Sequence, residues 1–158
     1  MRFEMLDYQQ RIKFLQRLHK CLNKELFNNV LLPLVIDVRN LNHAESHITA
    51  MYCTADEYQP ERILFDDSFF IFDEDGLRSL KTQGQQAEII VKTMLHEMIH
   101  QYCEETGIPQ NKEIDHSKEW QQAAKEHGLY SVYDEKDVLI KEQLMIVPLD
   151  IAYRLRIH

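Results

Sequence analysis

Cysteine is scarce in this chain: three in 158 residues, Cys21, Cys53 and Cys103. An odd, sparse set with no CxxC pair argues against a disulfide-stapled scaffold and against a zinc ribbon, and it fits a reducing, cytoplasmic setting. Glycine and proline are nearly as rare, at 4 each. Long flexible linkers are therefore disfavoured, and one domain spanning residues 1–158 is the expectation. Basic charge is in deficit, with 18 Lys and Arg against 26 Asp and Glu, a formal net charge of −8. Residues 1–79 and 80–158 each carry 9 basic and 13 acidic side chains, so no basic tail hides in the average. A broadly basic nucleic-acid binder is disfavoured, because phosphate contacts need clustered Lys and Arg. Long hydrophobic runs are missing as well. The stretch Val30–Ile36, interrupted by Pro33, falls far short of the roughly 20 residues a membrane span needs. The segment Met1–Asp7 carries acidic residues where a signal peptide is apolar. What remains is 44% apolar and 28% charged, the composition of a folded chain long enough to bury a core.

Hydrophobic periodicity predicts a helix over about 7–26, where Phe14, Leu15, Leu18, Leu22 and Leu26 recur at helical spacing. Its other face carries Arg11, Lys13, Arg17, Lys20 and Lys24, a solvated face or a small basic docking surface. Leu34–Val38, Ala50–Thr54 and Arg62–Phe65 read as short strands, with Gln59-Pro60-Glu61 as a turn. Asp66-Asp67-Ser68 is suited to capping a short helix through Phe72, and Asp73–Gly76 to a turn. The strongest helix covers about 84–106, with Ala87, Val91, Met94, Met98 and Tyr102 in one stripe and Ile89, Ile90, Leu95 and Ile99 widening it. Gly107 stops it and Pro109 prevents its continuation. A further helix is expected over about His116–His127, with Asp115 as N-cap and Gly128 as stop, then a strand at Leu144–Val147 and a turn at Pro148. The fold class expected is α+β: a long N-terminal helix, a small mostly antiparallel sheet, and a buried helix followed by a second one.

The buried helix contains His96-Glu97-Met98-Ile99-His100, an HExxH motif. Residues i and i+4 lie one above the other on a helix face, so two imidazoles converge on one ion. Glu97 is displaced around the helix and can reach a metal-bound water without binding the metal. Chance places HExxH in about 4% of shuffled chains of this composition, but two histidines on one face of an apolar helix are costly to bury without partners. A catalytic zinc usually takes three protein ligands. The extension HExxHxxGxxH is excluded, because positions 103 and 106 are Cys103 and Thr106. Glu113, Asp115 and Glu119 are oxygen donors for the third place. His116, 16 residues beyond His100 at the start of the next helix, fits better. Cys103 falls on the face of His96 and His100 but nearly a turn further on, which fits a core thiol better than a metal thiolate.

His96–His100 followed by His116 resembles the SprT-like zinc metallopeptidase domain, which includes the Spartan DNA–protein crosslink proteases. Leu22–Phe27 is similar to the end of that family's N-terminal helix, and Arg62-Ile63-Leu64-Phe65 to the strand before its motif helix. The third-ligand segment, usually HGxxF, is here His116-Ser117-Lys118-Glu119-Trp120, and Gly128 has a counterpart. The resemblance covers about residues 10–130. It implies a zincin-like fold and a zinc endopeptidase, with His96, His100 and His116 as ligands and Glu97 as general base, acting on protein substrates that are in some members DNA-associated. The family's cysteine-rich ribbon is not found in this sequence, and the acidic charge weakens a DNA-linked role. An additional donor to the oxyanion could come from Tyr102, His127, Tyr130 or Tyr133. The alternative is a non-catalytic module using zinc for structure, closed by Cys103 or Glu119 as a fourth ligand.

Overall fold

The computed structural model describes residues 6–41, 49–67, 83–109 and 114–146, without the side chains of 83–87. Helix α1, Tyr8–Phe27, starts at a reciprocal cap: the Gln10 N–H donates to Asp7 Oδ1 at 2.8 Å and the Asp7 N–H to Gln10 Oε1 at 2.9 Å. It ends where Asn28 and Asn29 turn left-handed (φ 52° and 62°), a conformation that asparagine tolerates. Phe14, Leu15, Leu18 and Leu22 face the core, and Lys13, Arg17, Lys20 and Lys24 face outward.

The first sheet contains β1 (Val35–Arg39), β2 (Ala50–Cys53) and β3 (Arg62–Asp66), in the order β1-β3-β2. Strand β1 runs parallel to β3 and β2 antiparallel to it, so the sheet is mixed. The centre belongs to β3, whose Ile63, Leu64 and Phe65 are all buried, as a strand covered on both faces requires. Asp66 closes β3 and accepts the Leu41 N–H at 2.8 Å, which ties the loop after β1 to the sheet. The helix expected through Phe72, the turn at 73–76, and Val147 and Pro148 lie outside the described residues.

Helix α2, Gln83–Glu105, is the buried one: Val91, Met94, Leu95, Met98, Ile99 and Cys103 are fully enclosed. It stops at Gly107, whose φ of 74° favours a residue without Cβ. Helix α3 is shorter than its sequence pattern suggests, Lys118–Glu126. Its N-cap is Ser117, whose Oγ accepts the Trp120 N–H at 3.1 Å, so Asp115 is not the cap. The two residues before the cap form a turn, which frees His116 from helical geometry.

An antiparallel hairpin follows, β4 (Leu129–Tyr133) with β5 (Leu139–Leu144). It replaces the lone strand expected at Leu144–Val147, which overlaps β5 only at Leu144. Its turn is built by Asp134, whose Oδ1 accepts the N–H groups of Lys136 (2.8 Å) and Val138 (2.9 Å), an Asx-type turn with no glycine signal. Among the described residues the result is an α+β arrangement of three helices and two small sheets. No described helix is long and apolar enough to cross a membrane.

Candidate metal centre

One cleft of about 640 Å³ collects most of the chemistry-bearing side chains: His96, Glu97 and His100 from α2, Asp115 and His116 from the turn before α3, and Tyr133 and Glu142 from the hairpin. Thr49 and β2 form its other wall. His96 and His100 share a helix face, with ring centroids 5.3 Å apart. Gly107 lets the chain fold back after α2, and Ser117 starts α3 late enough for His116 to reach both rings, at 4.9 Å from His96 and 5.2 Å from His100. One nitrogen from each of the three histidines lies within 4.8 Å of the others, a group that could hold a metal ion.

The outer nitrogens of two rings are engaged. His96 Nδ1 lies 3.0 Å from Glu142 Oε2, and His116 Nδ1 lies 3.1 Å from Asp137 Oδ1. Asp137 also accepts the His116 backbone N–H at 3.1 Å, and Ser131 Oγ donates to Glu142 at 3.0 Å. Carboxylates accept only, so each Nδ1 is the protonated nitrogen and each Nε2 offers a lone pair. Yet the two Nε2 atoms are 3.0 Å apart. Two acceptors at that distance need a proton or a cation between them. Nitrogens held about 2.0–2.1 Å from one tetrahedral ion lie about 3.3 Å apart, close to the His96–His116 separation, and His100 offers a nitrogen within 4.8 Å of both.

Electrostatics separate the three rings. Burial and the neighbouring charges of His96 and His116 push His100 down to about 3, so it is neutral at working pH. Burial and the charge of His96 also lower His116, against the pull of Asp137. Burial opposes the charged form of His96 too, but Glu142 on its Nδ1, with Glu97 and Asp115, outweighs it and raises its pKa. Glu97 is 7% exposed. Its burial raises its pKa, while the charge of His96 and the Tyr52 backbone N–H hold it back. A buried carboxylate with a raised pKa beside a histidine cluster is the electrostatic setting of a general base.

Trp120 floors the cluster. It is fully buried, its ring is 4.7–5.0 Å from all three imidazoles, and its Nε1–H has no partner among the described residues. Tyr133 stacks flat on His116 at 3.9 Å with a 5° interplanar angle. Gln121 ties the two together, donating to the His116 carbonyl at 2.8 Å and accepting the Tyr133 N–H at 3.3 Å.

Four residues singled out in the sequence, His96, Glu97, His100 and His116, meet here. Among the described residues, the competing donors Asp115 and Glu119 do not join that group. Glu119 is exposed and lines a separate groove with Ile108 and Pro109. Asp115 lines the cleft but is exposed and outside the three-histidine group, and Glu113 lies outside the described residues. Cys103 is enclosed in the core, as a core thiol should be. Of the four possible oxyanion donors only Tyr133 lines the cleft. Tyr102 and His127 pack on each other and on Phe27, and Tyr130 faces solvent beneath Lys141. Sequence reasoning missed Asp137, Ser131 and Glu142, whose strand shows no alternation to mark an inward face. Comparison of the chain with protein-family models, with curated proteins and with solved structures finds no match.

Proposed function

We propose that the chain is a zinc-dependent metalloendopeptidase of SprT-like, zincin-like type. The carrying observation is that three histidine nitrogens within 4.8 Å of one another share a cleft with the buried carboxylate of Glu97. His96, His100 and His116 would hold the ion. Zinc would supply Lewis acidity, acidifying a water to a pKa of about 7 and polarising a peptide carbonyl. Glu97 takes the proton of the attacking water on its carboxylate and returns it to the leaving nitrogen. Glu142 and Asp137 keep His96 and His116 in the tautomer that presents Nε2. Tyr133 is the hydroxyl available at the cleft wall. Burial, Glu142, Asp137 and Glu97 raise its pKa, so it remains a donor at neutral pH.

Strand β2 suits a peptide substrate. Thr49 bonds to β3 through its carbonyl, so alternation turns the backbone groups of Ala50 and Tyr52 to the open edge. That edge lines the cleft, and an extended peptide could add to it as a strand. A zinc site closed for structure would need Cys103 or Glu119 as a fourth donor, and both stand elsewhere. The three free cysteines fit a reducing, cytoplasmic compartment. The outward basic face of α1 is the surface on which DNA-associated substrates would be met. Binding of single-stranded DNA that weakens steeply with salt supports this role, and absence of binding at low salt removes it.

The deciding experiment is Glu97→Gln. The variant should bind zinc like the wild type and lose peptide cleavage by at least about a hundredfold. Undiminished cleavage would sink the role given to Glu97.

A further inference from the structure

His116 stands one residue before the Ser117 cap of α3, outside the ladder of helical hydrogen bonds. Its N–H and its Nδ1 both go to Asp137, at 3.1 Å each. Its carbonyl needs a partner from elsewhere, because the first helical bond runs from the Gln121 N–H to the Ser117 carbonyl, at 2.9 Å. The Gln121 side chain meets that need. Helical side chains lean toward the N-terminus, and Gln121 Nε2 reaches back past the cap to donate to the His116 carbonyl at 2.8 Å. Its Oε1 accepts the Tyr133 N–H at 3.3 Å. The Asp134 N–H bonds across the hairpin to the Val138 carbonyl at 2.9 Å, so alternation turns the Tyr133 N–H to the other edge of β4, the edge that packs on α3. A carbonyl only accepts and an N–H only donates, so the amide of Gln121 fits in one orientation.

We propose that Gln121 is a positioning residue that sets Tyr133 in register with the third histidine. One amide fixes both backbones at the spacing at which the two rings stack flat, 3.9 Å apart with a 5° interplanar angle. Trp120 meets His116 at 81° and Tyr133 at 84°, so both rings stand on the same buried indole, which keeps them from sinking toward the core. Their lateral match is left to Gln121. The Tyr133 hydroxyl at the cleft wall therefore keeps a fixed place relative to the His116 Nε2, which lies 3.0 Å from His96 Nε2 in the cluster. A donor to a developing oxyanion works only when it is held in place beforehand. That kinetic consequence rests on the peptidase reading; the coupling of the two rings does not.

The test compares the zinc-loaded wild type with Gln121→Glu, Gln121→Ala and Tyr133→Leu. It reads the NMR shifts of the His116 ring protons, zinc affinity by chelator competition, and kcat with KM. A phenol ring lying flat on an imidazole moves the imidazole protons upfield, and Tyr133→Leu shows where they fall without it. Gln121→Glu still accepts from Tyr133 but has no hydrogen for the His116 carbonyl, and Gln121→Ala loses both ties. Both variants should move the His116 protons toward their places in Tyr133→Leu and weaken zinc binding about three- to tenfold, as one lost hydrogen bond predicts. In both, kcat should fall with KM near wild type, and it should fall further in Gln121→Ala. A residue that only supports the fold would lower Tm and leave the shifts and zinc affinity of the folded chain unmoved. Gln121→Glu is nearly isosteric, so it carries the test even if Gln121→Ala does not fold. Wild-type shifts and wild-type zinc affinity in Gln121→Glu overturn the proposal. Moved shifts and weakened zinc binding in a chain that cleaves no peptide uphold the coupling and overturn the peptidase reading.

Discussion

Zinc should stabilise the chain through His116, and the size of the effect follows from the cluster. The three nitrogens stand together before any ion arrives, within 4.8 Å of one another, so little ordering opposes binding. At a free zinc concentration a thousandfold above Kd, binding to the folded state alone contributes about 4.1 kcal/mol. For a chain of this length that raises Tm by about 8–16 °C. His116→Ala leaves two histidines on one helix. If Kd then weakens a thousandfold, the same zinc contributes only about 0.4 kcal/mol and Tm moves by about 1–2 °C. The assay is built into the molecule: Trp120, the sole tryptophan, sits 4.7–5.0 Å from each ring, and its fluorescence reports both metal titration and melting. His127→Ala is the control. Its ring stacks on Phe27 at 4.4 Å, away from the cluster, so the variant should melt earlier without zinc yet keep the full zinc-dependent rise. An equal rise in wild type and His116→Ala would refute the three-histidine centre.

Other outcomes follow from the same contacts. Glu142→Gln and Asp137→Asn should each weaken zinc binding about 10–100-fold in a competition titration with a chromophoric chelator; asparagine is chosen because Asp137 sits at φ 61°, which it tolerates. Burial lowers the pKa of His19 below 6.5, so the unfolded chain binds more protons below that pH, and stability should fall on acidification through 6.5. His19→Gln should flatten that acid slope in urea titrations. Glu61 works in the opposite window: raised from 4.5 to about 7, it makes stability fall as pH rises from 4.5 to 7, and Glu61→Gln should remove that decline. Gly128→Ala should cost about 1–3 kcal/mol in the same titrations, because φ is 97° there and the new Cβ would meet Ile146 Cγ2 at 3.3 Å.

Much of this molecule can be read from local pattern. The spacing of Phe14, Leu15, Leu18 and Leu22 predicts α1, and the stripe from Val91 to Tyr102 predicts α2 to within a residue at each end. Helical periodicity depends on neighbours three and four residues apart, so it survives without knowledge of the rest of the chain. The same locality places His96 and His100 on one face and Glu97 beside them. The mixed pairing of β1 with β3 is different in kind, because strand direction within a sheet depends on the connections between strands and on partners far along the chain.

The third histidine marks the boundary. From sequence, His116 competed with Glu113, Asp115 and Glu119; the Ser117 cap and the turn before it hold His116 outside α3, where it joins the other two histidines, and leave Glu119 exposed. The carboxylates behind the histidines lay further out of reach. In β5, Glu142 and Leu144 turn inward while Lys141 and Gln143 face solvent, and the register breaks at Val132/Tyr133. An inward glutamate hides the alternation that would reveal the strand, and a slip of one residue would turn Glu142 away from His96. The sequence by itself determined the helices and the motif on one of them, because helical faces follow from local spacing. Only the tertiary structure brings His116 to the other two rings and sets the carboxylates behind two of them, because each depends on long-range register and chain reversal.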